Sequence, residues 1–172
     1  MIIKKYKKVS STSALAKKLK PKVWSIILAE EQISGYGRKE SQWFSPKGGL
    51  YFTIILPKSK IEDLQTLTIL AAFIVAKIIK ENFDLETFIK LPNDIYINQK
   101  KVGGILTENI LGRKVKFSIM GIGLNTNIDK FPKDLENIAT SLKIELGRKV
   151  NNEKILKRVV DGIREQLKTI AE

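Results

Sequence analysis

The sequence predicts an α+β fold in which helices pack on one face of a mixed, largely antiparallel β-sheet. Four strand-like runs between residues 88 and 124 follow one another with only short turns between them, which is typical of an antiparallel meander. The helical patterns stand before and after this run and do not alternate with the strands, as in other α+β proteins. At 172 residues the chain has the length of one domain, and we expect a single domain over residues 1–172.

The N-terminal part predicts one short helix, one strand and a long loop. Three hydroxyl residues at positions 11–13 are good N-cap candidates for a helix over residues 14–19, which Pro21 ends. Residues 23–29 form an apolar, strand-like run. Residues 30–49 lack periodicity and are rich in glycine. Loops of about 20 residues inside compact domains are usually functional, so this loop is a candidate site.

The remaining elements follow from apolar runs and their periodicity. Residues 50–56 form an aromatic and β-branched strand, and residues 61–83 form a helix that is apolar on most faces and therefore central. An irregular polar stretch after Asn125 leads to a closing helix that Asn151 or Asn152 caps. The meander strands are predicted at residues 88–91, 94–98, 101–111 and 114–124, and the closing helix at residues 153–170.

Composition excludes several kinds of chemistry. The chain has neither Cys nor His, which excludes disulfides, thiolate metal sites, Ser-His-Asp triads and imidazole bases. Its 31 Lys and Arg residues against 18 Asp and Glu give a net charge of +13. This charge favours an anionic partner. Four classes of partner fit: a nucleic acid, a phosphorylated ligand, an acidic protein and a membrane surface.

No segment has the pattern of a membrane anchor or a secretion signal. The N-terminus is charged within four residues, unlike a signal peptide. The most apolar stretch, residues 67–79, falls short of the roughly 20 residues that a membrane span needs. We therefore expect a cytoplasmic protein without a membrane partner.

Two polar segments are candidates for ligand contacts. Residues 32–39 combine Gly35 and Gly37 with two adjacent cations, which offers backbone amides and positive charge to a phosphate. An ordinary surface loop explains that segment equally well. Residues 90–94, Lys-Leu-Pro-Asn-Asp, place an amide and a carboxylate at a strand break, where they face a ligand, bind a metal or simply form a tight turn.

Two glycine-bearing strands are candidates for the walls of one ligand space. Gly103 and Gly104 follow Lys101 inside an apolar run, and Gly121 and Gly123 repeat the pattern on the next strand. Glycines inside strands usually mark a bulge or the close approach of a ligand or of backbone. The alternative is that these glycines accommodate a packed helix.

Taken together and in this order along nearly the whole chain, these segments resemble the catalytic domain of biotin–protein ligases. The matching segments are residues 11–13 (Ser-Thr-Asn in the family), 35–39 (the basic glycine loop), 43–46 (Trp-x-Ser-Pro), 48–51 (Gly-Gly-Leu-Tyr), 90–94 (Lys-Trp-Pro-Asn-Asp), 101–108 (Lys-x-Gly-Gly-Ile-Leu-x-Glu) and 121–125 (Gly-Ile-Gly-x-Asn).

The resemblance implies a fold like that of class II aminoacyl-tRNA synthetases and biotin ligases, and an ATP-dependent ligase activity. The implied reaction joins biotin to ATP with Mg²⁺, giving biotinyl-adenylate and pyrophosphate, and then transfers biotin to a lysine of a biotin carboxyl carrier protein. Homodimers are frequent in the family. The match begins at the catalytic domain, so we expect no N-terminal helix-turn-helix domain, no DNA partner, and little or no C-terminal β-barrel domain.

The resemblance also implies roles for individual residues. Arg38 and Lys101 are the implied catalytic residues, with Arg38 on the adenylate phosphate and Lys101 between the biotin carboxylate and the α-phosphate. Asp94 is the implied Mg²⁺ ligand, since magnesium favours oxygen. The implied biotin-binding residues are Ser11, Thr12, Ser13, Gln32, Gly35, Tyr36, Gly37, Arg38, Trp43, Lys101, Gly103, Gly104, Gly121 and Gly123. The implied nucleotide-binding residues are Arg38, Lys39, Lys90, Asn93, Asp94, Lys101 and Asn125.

The basic loop departs from the family pattern Gly-Arg-Gly-Arg-Arg-Gly-Arg. Tyr36, Lys39, Glu40 and Ser41 stand at its second, fifth, sixth and seventh places. The lost cationic charge predicts weaker retention of the adenylate. Three alternatives stay open: a lipoate or octanoyl transferase of the same fold, an inactive relative that only binds biotin, and a basic nucleic-acid-binding module.

Overall fold

The computed structural model describes residues 2–57, 63–111 and 115–171. One seven-stranded sheet runs through it in the order β1-β2-β3-β7-β6-β5-β4. The strands are β1 (Ile2–Val9), β2 (Ser25–Gln32), β3 (Leu50–Leu56), β4 (Phe88–Lys90), β5 (Asp94–Ile97), β6 (Lys100–Leu111) and β7 (Val115–Leu124). The helices are α1 (Thr12–Leu19), α2 (Leu64–Phe83), α3 (Leu142–Leu146) and α4 (Asn152–Ala171).

The sheet has the predicted mixed, largely antiparallel character. β1 pairs with β2 in parallel, and the other described strand pairs are antiparallel. Between β5 and β6, Asn98 and Gln99 have φ values of 47° and 65°, the left-handed conformation that two-residue hairpin turns require. The predicted turn at residues 112 and 113 lies outside the described residues, as do positions 61 and 62 of the predicted helix and position 114.

β3 is a fully buried inner strand of the sheet, and helices cover both of its faces. All of its residues are buried. Because side chains alternate along a strand, Phe52 and Ile54 pack into the main core with α2 and α4, while Ile55 faces the other way against Ala16 of α1. The two long helices therefore lie on one face, and the short α1 lies on the opposite face. The prediction that the helices pack on a single face is wrong for α1, because the alternating side chains of β3 give the sheet an apolar surface on both sides.

The capping predictions agree with the structure. Ser11 is the N-cap of α1, where its Oγ accepts a hydrogen bond from the Ala14 amide at 3.3 Å. Asn151 caps α4 in the same way, accepting from the Lys154 amide at 3.0 Å. The predicted strand over residues 23–29 is shifted toward the C-terminus, to β2.

Two elements were not predicted from the sequence. α3 is a helix of five residues inside the stretch predicted to be irregular. β1 lies at one edge of the sheet, and its partly buried residues, Ile3, Tyr6 and Val9, recur every third position. This spacing hides the two-residue alternation by which half-buried strands are recognised.

None of the described helices is long and apolar enough to cross a lipid bilayer.

Candidate active site

A cavity of about 320 Å³ lies where the start of α1, the loop after β2 and the middle of β6 and β7 meet. We call it the first cavity. Small-molecule sites typically measure about 300–1,000 Å³, so its size suits a small ligand. It is lined by most of the residues that the sequence analysis selected, namely Ser11, Thr12, Ser13, Gln32, Tyr36, Gly37, Arg38, Lys39, Trp43, Asn93, Asp94, Lys101, Gly104, Gly121 and Gly123.

Four of the selected residues lie outside this cavity. Gly35 is buried beneath the loop, where an added Cβ would come within 2.7 Å of Ser45 Oγ. Gly103 faces away from Gly104, because adjacent residues of a strand point to opposite faces, and packs beside Leu124. Lys90 is exposed in β4, and Asn125 lines a neighbouring cavity.

A network of hydroxyl and amide groups holds α1 against β2 and β3 at the cavity wall. The Gln32 Oε1 atom accepts hydrogen bonds from the Thr12 amide at 2.8 Å and from the Thr12 hydroxyl at 3.1 Å, while Gln32 Nε2 donates to Ser45 Oγ at 2.9 Å. The Thr53 hydroxyl donates to Thr12 Oγ1 at 2.9 Å and lies 3.1 Å from Ser13 Oγ. These hydrogen bonds fix the polar wall before any ligand binds. Ser45 entered the sequence analysis only as part of the Trp-x-Ser-Pro segment and Thr53 was not selected, because only the fold brings these two supports to this place.

The strand glycines make room for one indole and one helix. An added Cβ on Gly123 would come within 2.5 Å of Trp43 Nε1, and one on Gly104 within 3.3 Å of Trp43 Cζ3, so both glycines let the indole lie against the strands. At Gly121 an added Cβ would lie 2.7 Å from Ser13 Oγ, so this glycine accommodates α1. Both sequence-based interpretations, a cavity wall and a packed helix, therefore apply.

Lys101 projects from β6 between an acid and an aromatic ring. Its Nζ lies 2.7 Å from Asp94 Oδ1 and 5.2 Å from the centroid of the Trp43 ring. Asn93 Nδ2 donates to the same Asp94 oxygen at 2.9 Å. A lysine ammonium has three N–H donors, so the bond to Asp94 leaves two for a ligand. The backbone of Lys101 is fixed in turn, since its N–H donates to the Ile138 carbonyl at 2.8 Å.

A second cavity, of about 230 Å³, adjoins the first. Its walls are mainly apolar, and the rings of Phe44 and Phe131 meet there with centroids 6.0 Å apart. Asn125, 4% exposed, also lines it; its Nδ2 donates to the Thr140 carbonyl at 3.0 Å, and its Oδ1 has no hydrogen-bond partner in the described part of the chain. Trp43 and Lys101 line both cavities. Phe44 and Phe131 were missed because they stand in irregular segments without periodicity.

Residues 35–42, which we call the 35–42 loop, form an arch over the first cavity. The Gly37 amide donates to the Ser41 carbonyl at 2.8 Å, and the Trp43 amide closes the arch on the Gly35 carbonyl at 2.8 Å. Arg38 and Lys39 stand at the exposed tip of this arch and line the cavity. The loop therefore places two cations at the mouth.

Fold and site together define a class: α+β domains with a two-part small-molecule site built on a glycine-bearing sheet. The chain belongs to the biotin/lipoate A/B protein ligase family, whose model matches residues 6–125.

Several relatives carry more specific names. The chain is 38% identical over 141 residues to the bifunctional ligase/repressor BirA of Bacillus spizizenii, a match that covers 79% of this chain and 43% of that protein. It is 34% identical over 126 residues to the biotin–[acetyl-CoA-carboxylase] ligase of Paracoccus denitrificans, covering 69% of this chain and 52% of that protein. The chain thus spans about half the length of these curated relatives or less.

Among solved structures, the biotin protein ligase of Aquifex aeolicus in complex with biotin and ATP superposes with a TM-score of 0.91 at 30% identity. That superposition covers 99% of this chain and 72% of the other. The fold class inferred from the sequence is therefore confirmed.

Proposed function

We propose that this chain catalyses the ATP-dependent ligation of biotin to a lysine of a biotin carrier protein, through a biotinyl-adenylate. The observation that carries the proposal is that Lys101 lines both cavities. An acid held in one cavity and a nucleotide held in the other would meet at its ammonium group. The likeness to a ligase solved with biotin and ATP supports the same pairing of ligands.

The first cavity suits biotin because it combines polar hydrogen-bonding groups with one aromatic wall. The hydroxyls and amide around Thr12 and Gln32 would bind the polar ureido ring, and Trp43 would cover the apolar part of the ligand. The valerate carboxylate would then extend toward Lys101. The predicted contacts of biotin with Gly104, Gly121 and Gly123 belong to the same proposal, whereas Gly103 faces away from this cavity and is not part of it.

The second cavity suits the adenine of ATP. Phe44 and Phe131 offer aromatic faces for stacking. Asn125 Oδ1, which has no hydrogen-bond partner among the described residues, would accept a hydrogen bond from the exocyclic amine. Arg38 and Lys39 at the mouth would bind the phosphates, for which the planar guanidinium of Arg38 is well suited. The predicted nucleotide contact of Lys90, which lies outside both cavities, stays a prediction.

The chemistry needs positioning and fixed positive charge more than it needs a base. In the first step a biotin carboxylate oxygen attacks the α-phosphorus, and the bond to pyrophosphate breaks. Lys101 and Arg38 would stabilise the negative charge that gathers on the phosphate. In the second step the amine of the carrier lysine attacks the biotinyl carbonyl and releases AMP and a proton. Neither step requires the histidine that this chain lacks.

The lining residues fit Mg²⁺ only as a companion of ATP. Asp94 is the one carboxylate among the described residues that line the first cavity, and its Oδ1 already binds Lys101 and Asn93. No group of three or more acidic residues suited to a metal occurs in the described ranges. Magnesium is commonly bound by one or two carboxylates together with substrate phosphates, and Asp94 would serve in that way. The ion would neutralise phosphate charge.

The test is incubation with ATP, Mg²⁺, biotin and a biotin carrier domain, followed by measurement of the carrier mass. We expect one biotinyl group per carrier. Lys101→Ala should abolish most pyrophosphate release while the circular dichroism spectrum stays that of the folded protein. Lys100→Ala is the matched control, because Lys100 instead binds the Glu136 carbonyl at 2.8 Å.

A parallel incubation with lipoate or octanoate separates this proposal from the related transferases. Transfer of those acids in place of biotin, or an unchanged carrier mass with every acid, would contradict the proposed function. The carrier as partner, a homodimer, the cytoplasmic location and the domain limits stay predictions.

A further inference from the structure

Within the described ranges, one side chain of the 35–42 loop makes a hydrogen bond to another element of the fold. The backbone hydrogen bonds of the loop run within the arch or to its own base. Among the described residues, the Tyr36 hydroxyl makes the single side-chain hydrogen bond from this loop to another element, and its acceptor is Glu108 Oε2 of β6, at 3.1 Å.

Glu108 is shared between this hydroxyl and a lysine of α1. Its other oxygen, Oε1, lies 2.7 Å from Lys17 Nζ, and the same ammonium lies 5.4 Å from the centroid of the Tyr36 ring. The side chains of Lys17 and Glu108 are 38% and 25% exposed, so the ion pair is only partly open to solvent. One carboxylate thus links the loop, β6 and α1.

The protonation states suit this arrangement at neutral pH. Burial raises the pKa of Tyr36, against the lowering effect of Lys17, so the hydroxyl keeps the proton that it donates. Burial lowers the pKa of Lys17, but the hydrogen bond to Glu108 and the nearby Tyr36 hydroxyl outweigh this and raise the pKa overall. The lysine therefore stays charged.

We infer that Tyr36 is a positioning residue, which acts through Glu108 and Lys17 to hold the 35–42 loop over the first cavity before a ligand arrives. The consequence for biotin rests on the proposed function: Arg38 follows two positions later and would be kept at the cavity mouth. Tyr36 stands at the second place of the basic loop, where the family pattern has an arginine. The replacement of arginine by tyrosine removes one cation from the loop and adds a hydrogen bond that holds the loop to the sheet.

The first measurement is hydrogen exchange of the loop amides without any ligand. A hydrogen bond to a charged acceptor contributes enough that its loss should open the loop roughly tenfold more often. We therefore expect the Gly37 amide, which is hydrogen-bonded inside the arch, to exchange roughly tenfold faster in Tyr36→Phe than in the native chain. Tyr96→Phe is the matched control, because Tyr96 lies outside the 35–42 loop, in β5, where its ring stacks on Phe88 of β4.

The second measurement separates positioning from catalysis. Tyr36→Phe should raise the Kd and the KM for biotin roughly tenfold, with kcat for pyrophosphate release nearly unchanged, because the lost contact holds the loop and touches no reacting atom. Glu108→Gln, which still accepts the tyrosine hydrogen bond, should have a smaller effect. The double variant should be no worse than Tyr36→Phe alone, since both changes affect the same contact between Tyr36 and Glu108.

Equal exchange rates of the Gly37 amide in Tyr36→Phe and Tyr96→Phe would overturn the inference, as would a loss of kcat at unchanged KM. The exchange experiment needs no substrate. If the Gly37 amide exchanges faster in Tyr36→Phe but the native chain transfers no biotin, the positioning role is upheld and the proposed function is contradicted.

Discussion

At the scale of single residues, the site depends on where side chains are missing. Gly104 and Gly123 lack the Cβ atoms that would push Trp43 off the strands. The indole can therefore form a wall of both cavities while it lies against the sheet. Trp43 Nε1 is buried and has no hydrogen-bond partner among the described residues, so packing and the nearby Lys101 ammonium hold the indole there without a hydrogen bond from its ring nitrogen.

Substituting these two glycines should give graded effects. Gly123→Ala places a Cβ within 2.5 Å of Trp43 Nε1, whereas in Gly104→Ala the nearest indole atom is 3.3 Å away. Overpacking typically costs about 1–3 kcal/mol, so we expect Gly123→Ala to lower the free energy of unfolding by that amount and Gly104→Ala by less. Chemical denaturation followed by tryptophan fluorescence measures both.

In a biotin titration, Gly123→Ala should lose more biotin affinity than Gly104→Ala, because a displaced indole no longer covers the ligand. Equal stability and equal biotin affinity in the two variants would show that Trp43 adjusts freely and is not fixed by the strands.

Several site residues could be recognised in the sequence because their residue type is unusual for the secondary-structure element in which they stand. Gly121 interrupts an apolar strand and Lys101 begins one, so a pattern that favours a strand contains residues that weaken it. Asn125 follows such a strand directly. Phe131 and Thr53 conflict with nothing locally, and their contribution appears only when distant segments meet.

At the scale of secondary-structure elements, β1 is an edge strand with four lysines. Lys5 and Lys8 form exposed ion pairs with Glu153 and Glu31. Edge strands present unpaired backbone groups, and lysines on such an edge oppose pairing with a second chain. β1 therefore belongs to the sheet while its charge limits growth of the sheet beyond it.

Removing charge from this edge should promote self-association. We expect Lys4→Thr/Lys7→Thr to form dimers or larger species at concentrations at which the native chain does not, because threonine favours strands and brings no repulsion. Sedimentation velocity at several concentrations measures this. Lys18→Thr/Lys20→Thr removes the same charge at the end of α1 and should leave the mass unchanged; equal behaviour of the two double variants would contradict the prediction.

The element pattern also shows what sequence periodicity reveals. The central helix α2 and the strands β3, β6 and β7 were predicted within a few residues, because they carry long apolar runs. The short strands β4 and β5 were predicted from the turn residues on either side of them. β1 and α3 were missed for opposite reasons: the first buries only every third residue, and the second has five residues and a single buried one, Leu142.

At the scale of the whole molecule, the net charge of +13 should govern encounters with a carrier protein. Long-range attraction between opposite charges raises the rate at which two proteins associate, and salt weakens this effect by screening the charges. We expect biotin transfer to an acidic carrier domain to slow on the order of tenfold between low and physiological salt.

A neutral small nucleophile such as hydroxylamine provides the control for this salt dependence. Its reaction with the enzyme-bound adenylate needs no protein encounter and should change little. If transfer to both acceptors falls equally with salt, the effect lies in adenylate formation, and the surface charge does not steer the carrier.

Trp43 and Lys101 lie between the two cavities and line both of them. A ligand that shifts the indole or reorients the ammonium group in one cavity therefore changes the shape of the other cavity. By thermodynamic linkage, if the first ligand changes the affinity for the second by some factor, the second ligand changes the affinity for the first by the same factor. The two cavities would therefore fill as a dependent pair, and the affinity measured for either occupant would have meaning only when the state of its neighbour is stated.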